Sequence, residues 1–198
     1  GYALPDLLAR YRRAFSGTGV QVVEDAPEYL EHYLLNGELD VAILILSALQ
    51  ERSALNTAVM ETSPFRAWLP MGHRLANASE IDRDVLLEDR FILLNTDEIR
   101  LATADLWQRA SRNPRMAMRT SSVEAVRSLV ATGAGVSVLP DLVYRPWSLE
   151  GDRIAGVNVA SPLPPVEVGL AWRRGAKPSD AARAFIDLAL EEPALRHR

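Results

Sequence analysis

Between Asp40 and Ser47 runs Val41-Ala42-Ile43-Leu44-Ile45-Leu46, six apolar residues without a polar interruption. A half-exposed strand alternates apolar and polar side chains, so an unbroken run of this kind has to be buried on both faces, as in a parallel sheet covered by helices. The run falls well short of the roughly 18 apolar residues of a membrane span. What precedes it fixes the context. Asp25-Ala26-Pro27-Glu28 opens a helix: Asp25 can cap, Pro27 suits an early helical position and Glu28 stands at capping-box spacing. Tyr29, Leu30, Tyr33 and Leu34 give that helix an apolar face, and Asn36-Gly37 ends it, glycine accepting the left-handed conformation there. Upstream, Leu4, Leu7, Leu8, Tyr11 and Phe15 repeat at helical spacing, and Gly17-Thr18-Gly19 separates them from the β-branched run Val20–Glu24, which predicts a strand. Helix, strand, helix, strand is the rhythm of an α/β fold.

The pattern continues with strands at about 56–60 and 65–70, a short apolar segment Val85–Leu87, and a buried-strand candidate Phe91–Leu94. Asn95-Thr96-Asp97 is a capping cluster for a helix to about Arg112, stopped by Asn113-Pro114. A strand at Met116–Arg119 leads into Ser121-Ser122-Val123-Glu124, a capping-box pattern for a helix with Val123, Val126 and Val130 on one face. Gly133-Ala134-Gly135 ends it before the strand Val136–Pro140. A strand at 166–173 and a helix capped by Ser179 close the chain.

Of 198 residues, 48% are hydrophobic and 24% charged, enough for a sizeable core. A net charge of −4 offers no phosphate-gripping surface, so this part of a protein is not expected to hold DNA itself. With no cysteine there is neither disulfide nor thiolate metal site, which fits a reducing, cytoplasmic setting. The start, Gly1-Tyr2-Ala3-Leu4-Pro5-Asp6, has no basic region followed by an apolar stretch, so it does not read as a signal peptide; lying almost inside a helix, it reads as the start of a fragment.

Taken in order, these segments resemble the effector-binding domain of LysR-type transcriptional regulators. Leu4–Gly17, Val20–Asp25, Pro27–Gly37 and Glu38–Leu46 look like its opening, with Gly37-Glu38-Leu39-Asp40 before the apolar run the most telling part. Leu69–Ala76 is similar to a family strand and turn, with Arg74 in place of the usual proline. Ser121–Pro140 and Gly169–Leu190 look like its later helix, glycine turn, strand and closing helix. The resemblance implies a two-lobed α/β fold of the type 2 periplasmic-binding-protein kind, with two small mixed sheets flanked by helices and joined by two crossing strands. Lobe I would comprise 1–73 and 164–198, and lobe II 74–163. It also implies a strand before the first helix and, before that, an N-terminal winged helix-turn-helix, both absent from this sequence. A small-molecule effector would sit in the interlobe cleft. The expected partners are a second copy, in a homodimer or tetramer with lobe I set antiparallel against lobe II (the first helix and 20–24 of one subunit facing the helix near 123–133 of the other), and DNA only through the missing N-terminal domain.

Candidate effector-binding residues follow from that resemblance and from the habit of ligands to gather at strand ends and helix N-termini. They are Tyr2 and Ala3, Asp25 and Ala26, Asn95, Thr96 and Asp97, and Thr120, Ser121 and Ser122. Helix capping alone accounts equally well for the polar ones. Arg66, Arg100 and Arg119 are possible anion contacts, against the commoner reading of solvated or ion-paired arginines. Trp68, Trp107, Trp147 and Trp172 are most simply packing residues.

An enzyme is not expected. His32, His73 and His197 show no ligand spacing, Gly133-Ala134-Gly135 follows a helix where a dinucleotide loop would follow a strand, and Ser137 has no nucleophile-elbow context. No catalytic residue, metal or cofactor is assigned. A transport-type solute-binding protein of the same fold is the alternative, set apart by the signal peptide that such receptors carry.

Overall fold

The computed structural model describes residues 4–96, 99, 113–160 and 164–191. The chain forms two compact units, Gly1–Thr62 with Glu167–Arg198, and Ser63–Val166. The resemblance implies a second lobe over 74–163; the second compact unit begins earlier, at Ser63, because residues 65–70 hydrogen-bond into its sheet.

In the first unit, helices α1 (Leu4–Ala14) and α2 (Pro27–Asn36) precede strand β1 (Ala42–Ile45), and β2 (Leu55–Ser63) follows it. Strand β9 (Val166–Arg173) and the last helix, α4 (Asp180–Glu191), complete the unit; the sheet order is β1-β9-β2. The apolar run is buried on both sides, as its sequence requires. Ala42 and Leu44 join Leu34 of α2 with Leu46, Leu49 and Leu55, whereas Val41 and Ile43 pack with Leu7 of α1 and Ile186 of α4. Its pairing is antiparallel, however, Ala42 opposite Ala171 and Ile45 opposite Val168. Helices on both faces, not parallel pairing, are what demand an unbroken apolar run. Burying a side chain such as Leu34 contributes about 1.5–3 kcal/mol. Tyr11 locks α1 to α4 by donating to Ala181 O at 2.9 Å and packing its ring edge-on to Phe185.

Two local expectations change. Val20–Glu24 forms no strand: it pairs with nothing among the described residues, and Val22 and Val23 are exposed. A β-branched run becomes a strand only beside another, and β1 pairs with β9. A cavity of about 410 Å³ lies along this segment, lined by Leu4, Leu8, Tyr11, Val20, Val41 and Ile43. The cap of α2 is Ala26, not Asp25, and it makes no side-chain cap bond; Pro27 at the first helical position sets the boundary. Gly37 ends the helix at φ 77° as expected, its N–H reaching Leu34 O, while Glu38 N donates to Tyr33 O.

The second unit is built on β3 (Phe65–Pro70), β4 (Glu80–Ile81), β7 (Ser137–Pro140) and β8 (Ile154–Val159), in the order β4-β8-β3-β7. The chain runs antiparallel between β3 and both β7 and β8, and parallel between β4 and β8. Beside them β5 (Arg90–Leu94) and β6 (Arg115–Thr120) form a parallel pair, followed by helix α3 (Val123–Ala131). Ile92 N donates to Val136 O and Val136 N to Arg90 O, so β5 runs along the residue that opens β7. Val85–Leu87 is not extended: Arg83–Glu88 is a 3-10 turn capped by Asp82, and Leu86 and Leu87 are fully buried. Of the helix expected to about Arg112, Ile99 is described, helical and buried; the rest, with Trp107, lies outside the described residues. Trp68 is buried as anticipated, but Trp147 is 57% exposed beneath the guanidinium of Arg153.

Candidate effector site

The parallel pairing of β5 and β6 brings their carboxyl ends together, Leu94 standing opposite Thr120. Asn95 N then donates to Thr120 O at 2.7 Å, so Asn95 and Thr96 lie beside Thr120, Ser121 and Ser122 at the start of α3. The carboxyl ends of parallel strands are where open α/β sheets hold their ligands, since neighbouring chains diverge there and helix N-termini present N–H groups. Local chemistry decides which hydroxyl does what. Thr120 Oγ1 accepts from Ser122 N at 3.2 Å, turning the chain, and Ser122 Oγ accepts from Ala125 N at 3.2 Å. The cap is therefore Ser122, one residue later than the capping-box spacing suggested, and Glu124 pairs with Arg127 instead of folding back on the helix start. Ser121, exposed, is left between the turn and the cap. Thr96 is half-buried, and its Oγ1 is shut off from solvent without a hydrogen-bond partner. A buried hydroxyl in that state is uncommon enough to mark a place where polar chemistry is unfinished.

The other sequence candidates fall elsewhere. Asp25 and Ala26 belong to the first unit, at the start of α2. The Asp25 carboxylate is committed locally, accepting from Ala26 N at 2.8 Å and from the Tyr33 hydroxyl at 3.3 Å. That negative charge raises the Tyr33 phenol above its usual value, with the hydrogen bond adding to the effect. Arg66 places Nε 2.7 Å from Asp141 Oδ1 and lies over the Tyr144 ring. The contact is an ion pair without hydrogen-bond alignment. Arg119 is exposed on β6. Tyr2, Ala3, Asp97 and Arg100 lie outside the described residues. No group of three or more His, Cys, Asp or Glu suited to a metal ion occurs among the described residues, and no helix there is long and apolar enough to cross a membrane.

Two buried charges escaped the sequence reading. Glu31 of α2 is 4% exposed and accepts from Gln50 N and Glu51 N, tying the helix to the turn after β1. Arg127 of α3 is 2% exposed, donates to Val143 O at 2.8 Å and stacks over Trp68. Its place beside Val123, Val126 and Val130 on the helical wheel was the available signal.

The family model of the LysR substrate binding domain matches residues 1–194, and the chain belongs to that family. Among curated relatives, the uncharacterized HTH-type transcriptional regulator YybE of Bacillus subtilis is 24% identical over 183 residues, covering 92% of this chain and 61% of that protein. The chain thus spans about three-fifths of the length of the curated relatives it matches. Among solved structures, HinK, a LysR family transcriptional regulator from Pseudomonas aeruginosa, superposes with a TM-score of 0.85 at 28% identity, over 95% of this chain and 64% of that one. The C-terminal domain of a probable LysR family regulator from Rhodococcus sp. RHA1 does so at 0.84 and 29%, over 94% and 91%. At 18% identity the effector-binding domain of QuiR, solved with shikimate, shares the fold, with a TM-score of 0.78 over 98% of this chain and 92% of that one.

Proposed function

We propose that this chain is the effector-sensing part of a DNA-binding transcriptional regulator, and that a small molecule engages the corner formed by Asn95, Thr96, Thr120, Ser121 and Ser122. The observation that carries this reading is the convergence of β5 and β6 on the start of α3, with the Thr96 hydroxyl buried and unpartnered beside it. The regulators among its relatives support the regulator reading, and the shikimate complex of QuiR, which shares the fold, supports a small-molecule effector. Asp97 and Arg100 extend the same corner in sequence. Tyr2, Ala3 and the start of α2 at Asp25 and Ala26 are the corresponding candidates in the first unit, and Arg119 is an accessory anion contact. Effector binding shifts the population between two arrangements of the regulatory domain, and the DNA-binding part reads the difference. The protein acts in the cytoplasm as a homodimer or tetramer and holds DNA only through a part outside this sequence. The family match favours this regulator over a transport-type receptor.

The test is calorimetric titration of the full-length regulator and its Thr96→Ala/Ser121→Ala variant with small carboxylic acids and polyols. Affinity should fall by about tenfold or more in the variant, as when ligand-facing hydrogen bonds are removed, with the melting temperature unchanged. Equal affinity would take both residues out of the site.

A further inference from the structure

We propose that a side-chain stack centred on Arg127 couples the first turn of α3, which carries the candidate site, to the Asp141–Tyr144 turn and to Ser63–Pro64, where the chain enters the second unit. Each link is a contact within that unit. Glu124, in the first turn of α3, pairs with Arg127 Nη1, and Arg127 Nη2 donates to Val143 O at 2.8 Å. The guanidinium lies 5.3 Å from the Trp68 ring, and Trp68 meets Tyr144 edge-on at 5.9 Å. On Tyr144 rests Arg66, 5.4 Å from the ring centre, and Arg66 is held by Asp141. The turn is fastened in its own right: Asp141 N donates to Pro64 O at 2.7 Å and Leu142 N to Ser63 Oγ at 2.9 Å.

Ordinary core packing does not account for this arrangement. Arg127 and Trp68 are among the most deeply buried side chains of the molecule, yet Arg127 Nε and Trp68 Nε1 are both buried without an acceptor. Leucine or methionine at these positions would fill comparable space without stranding a donor. The backbone also gives way to the stack. Tyr144 donates to Ile154 O and lies against Gly156, where a Cβ would come within 2.7 Å of the ring, so β8 carries its glycine under the aromatic. Cation–aromatic and edge-on contacts are directional, so displacing one member moves the next, whereas aliphatic packing would slide. A ligand that shifts the start of α3 therefore moves Glu124, and through Arg127 the turn that grips Ser63 and Pro64.

That the stack carries an effector signal rests on the sensor reading above. The coupling itself needs no ligand, so the two can fail separately. Hydrogen exchange on the full-length protein tests it with two surface variants that share no contact. Glu124→Gln should accelerate exchange of the Asp141 and Leu142 amides, and Asp141→Asn that of the Ala125 and Val126 amides, each by about threefold. Arg127→Met, close in volume, should abolish both cross-responses. Changes confined to the mutated turn, or cross-responses that persist in Arg127→Met, would overturn the proposal.

Discussion

Helices α2 and α3 open on comparable sequence signals, an acidic or hydroxyl cap candidate with Glu a few residues on, yet they begin in opposite ways. At α2 the start is closed: Ala26 caps without a side-chain bond, Pro27 removes one N–H, and Asp25 is occupied by Ala26 N and Tyr33. At α3 it is open, with three consecutive hydroxyl residues, one capping, one bracing the turn and one exposed. Each helix is instead held by a charge buried in its middle, Glu31 in α2 and Arg127 in α3. The start of α3 therefore offers hydroxyl groups to a candidate ligand where the start of α2 does not.

Substitutions at the two helices can break or sharpen this contrast. The largest effect is expected for Glu31→Ala, which leaves the Gln50 and Glu51 amides without their acceptor and should cost about 2 kcal/mol in urea unfolding. A loss below a few tenths would mean that α2 is not held from its middle. Ser122→Ala should cost about 1 kcal/mol. Ala26→Ser is the reverse experiment: the extended conformation of Ala26 suits a capping hydroxyl, so it should stabilise by about 0.5 kcal/mol. The smallest effect is at Tyr33. Asp25→Asn removes the charge that raises its phenol, so ultraviolet difference titration should show ionisation at lower pH than in the parent. With Asp25 present, the phenol in the folded protein resists ionisation beyond its unfolded range. Stability should therefore decline as pH rises through that alkaline range, and less steeply in Asp25→Asn.

Much of this contrast was legible in sequence wherever the determining contacts are local. Ser179 caps α4, its Oγ accepting from Ala182 N; Gly37 closes α2; and β9 spans the residues its apolar pattern marks. The hydroxyls of the candidate corner were legible as neighbours because strand end and helix start adjoin in the chain. Their division of labour was not, since the cap moved to Ser122 once Thr120 had engaged Ser122 N. Val20–Glu24 has strand composition but finds no partner, and composition carries no information about partners. Glu31 and Arg127 resemble surface charges in sequence, and only distant backbone groups, at Gln50, Glu51 and Val143, explain their burial.

The sensor reading itself is tested most directly by a thermal-shift screen of the full-length regulator against a panel of small metabolites. One chemical class should raise the melting temperature in a concentration-dependent way, because a ligand that binds the native state stabilises it by mass action. A panel that produces no shift with any class would contradict the account, leaving Ser122 as the cap of α3 and Thr96 and Ser121 without a ligand-binding role.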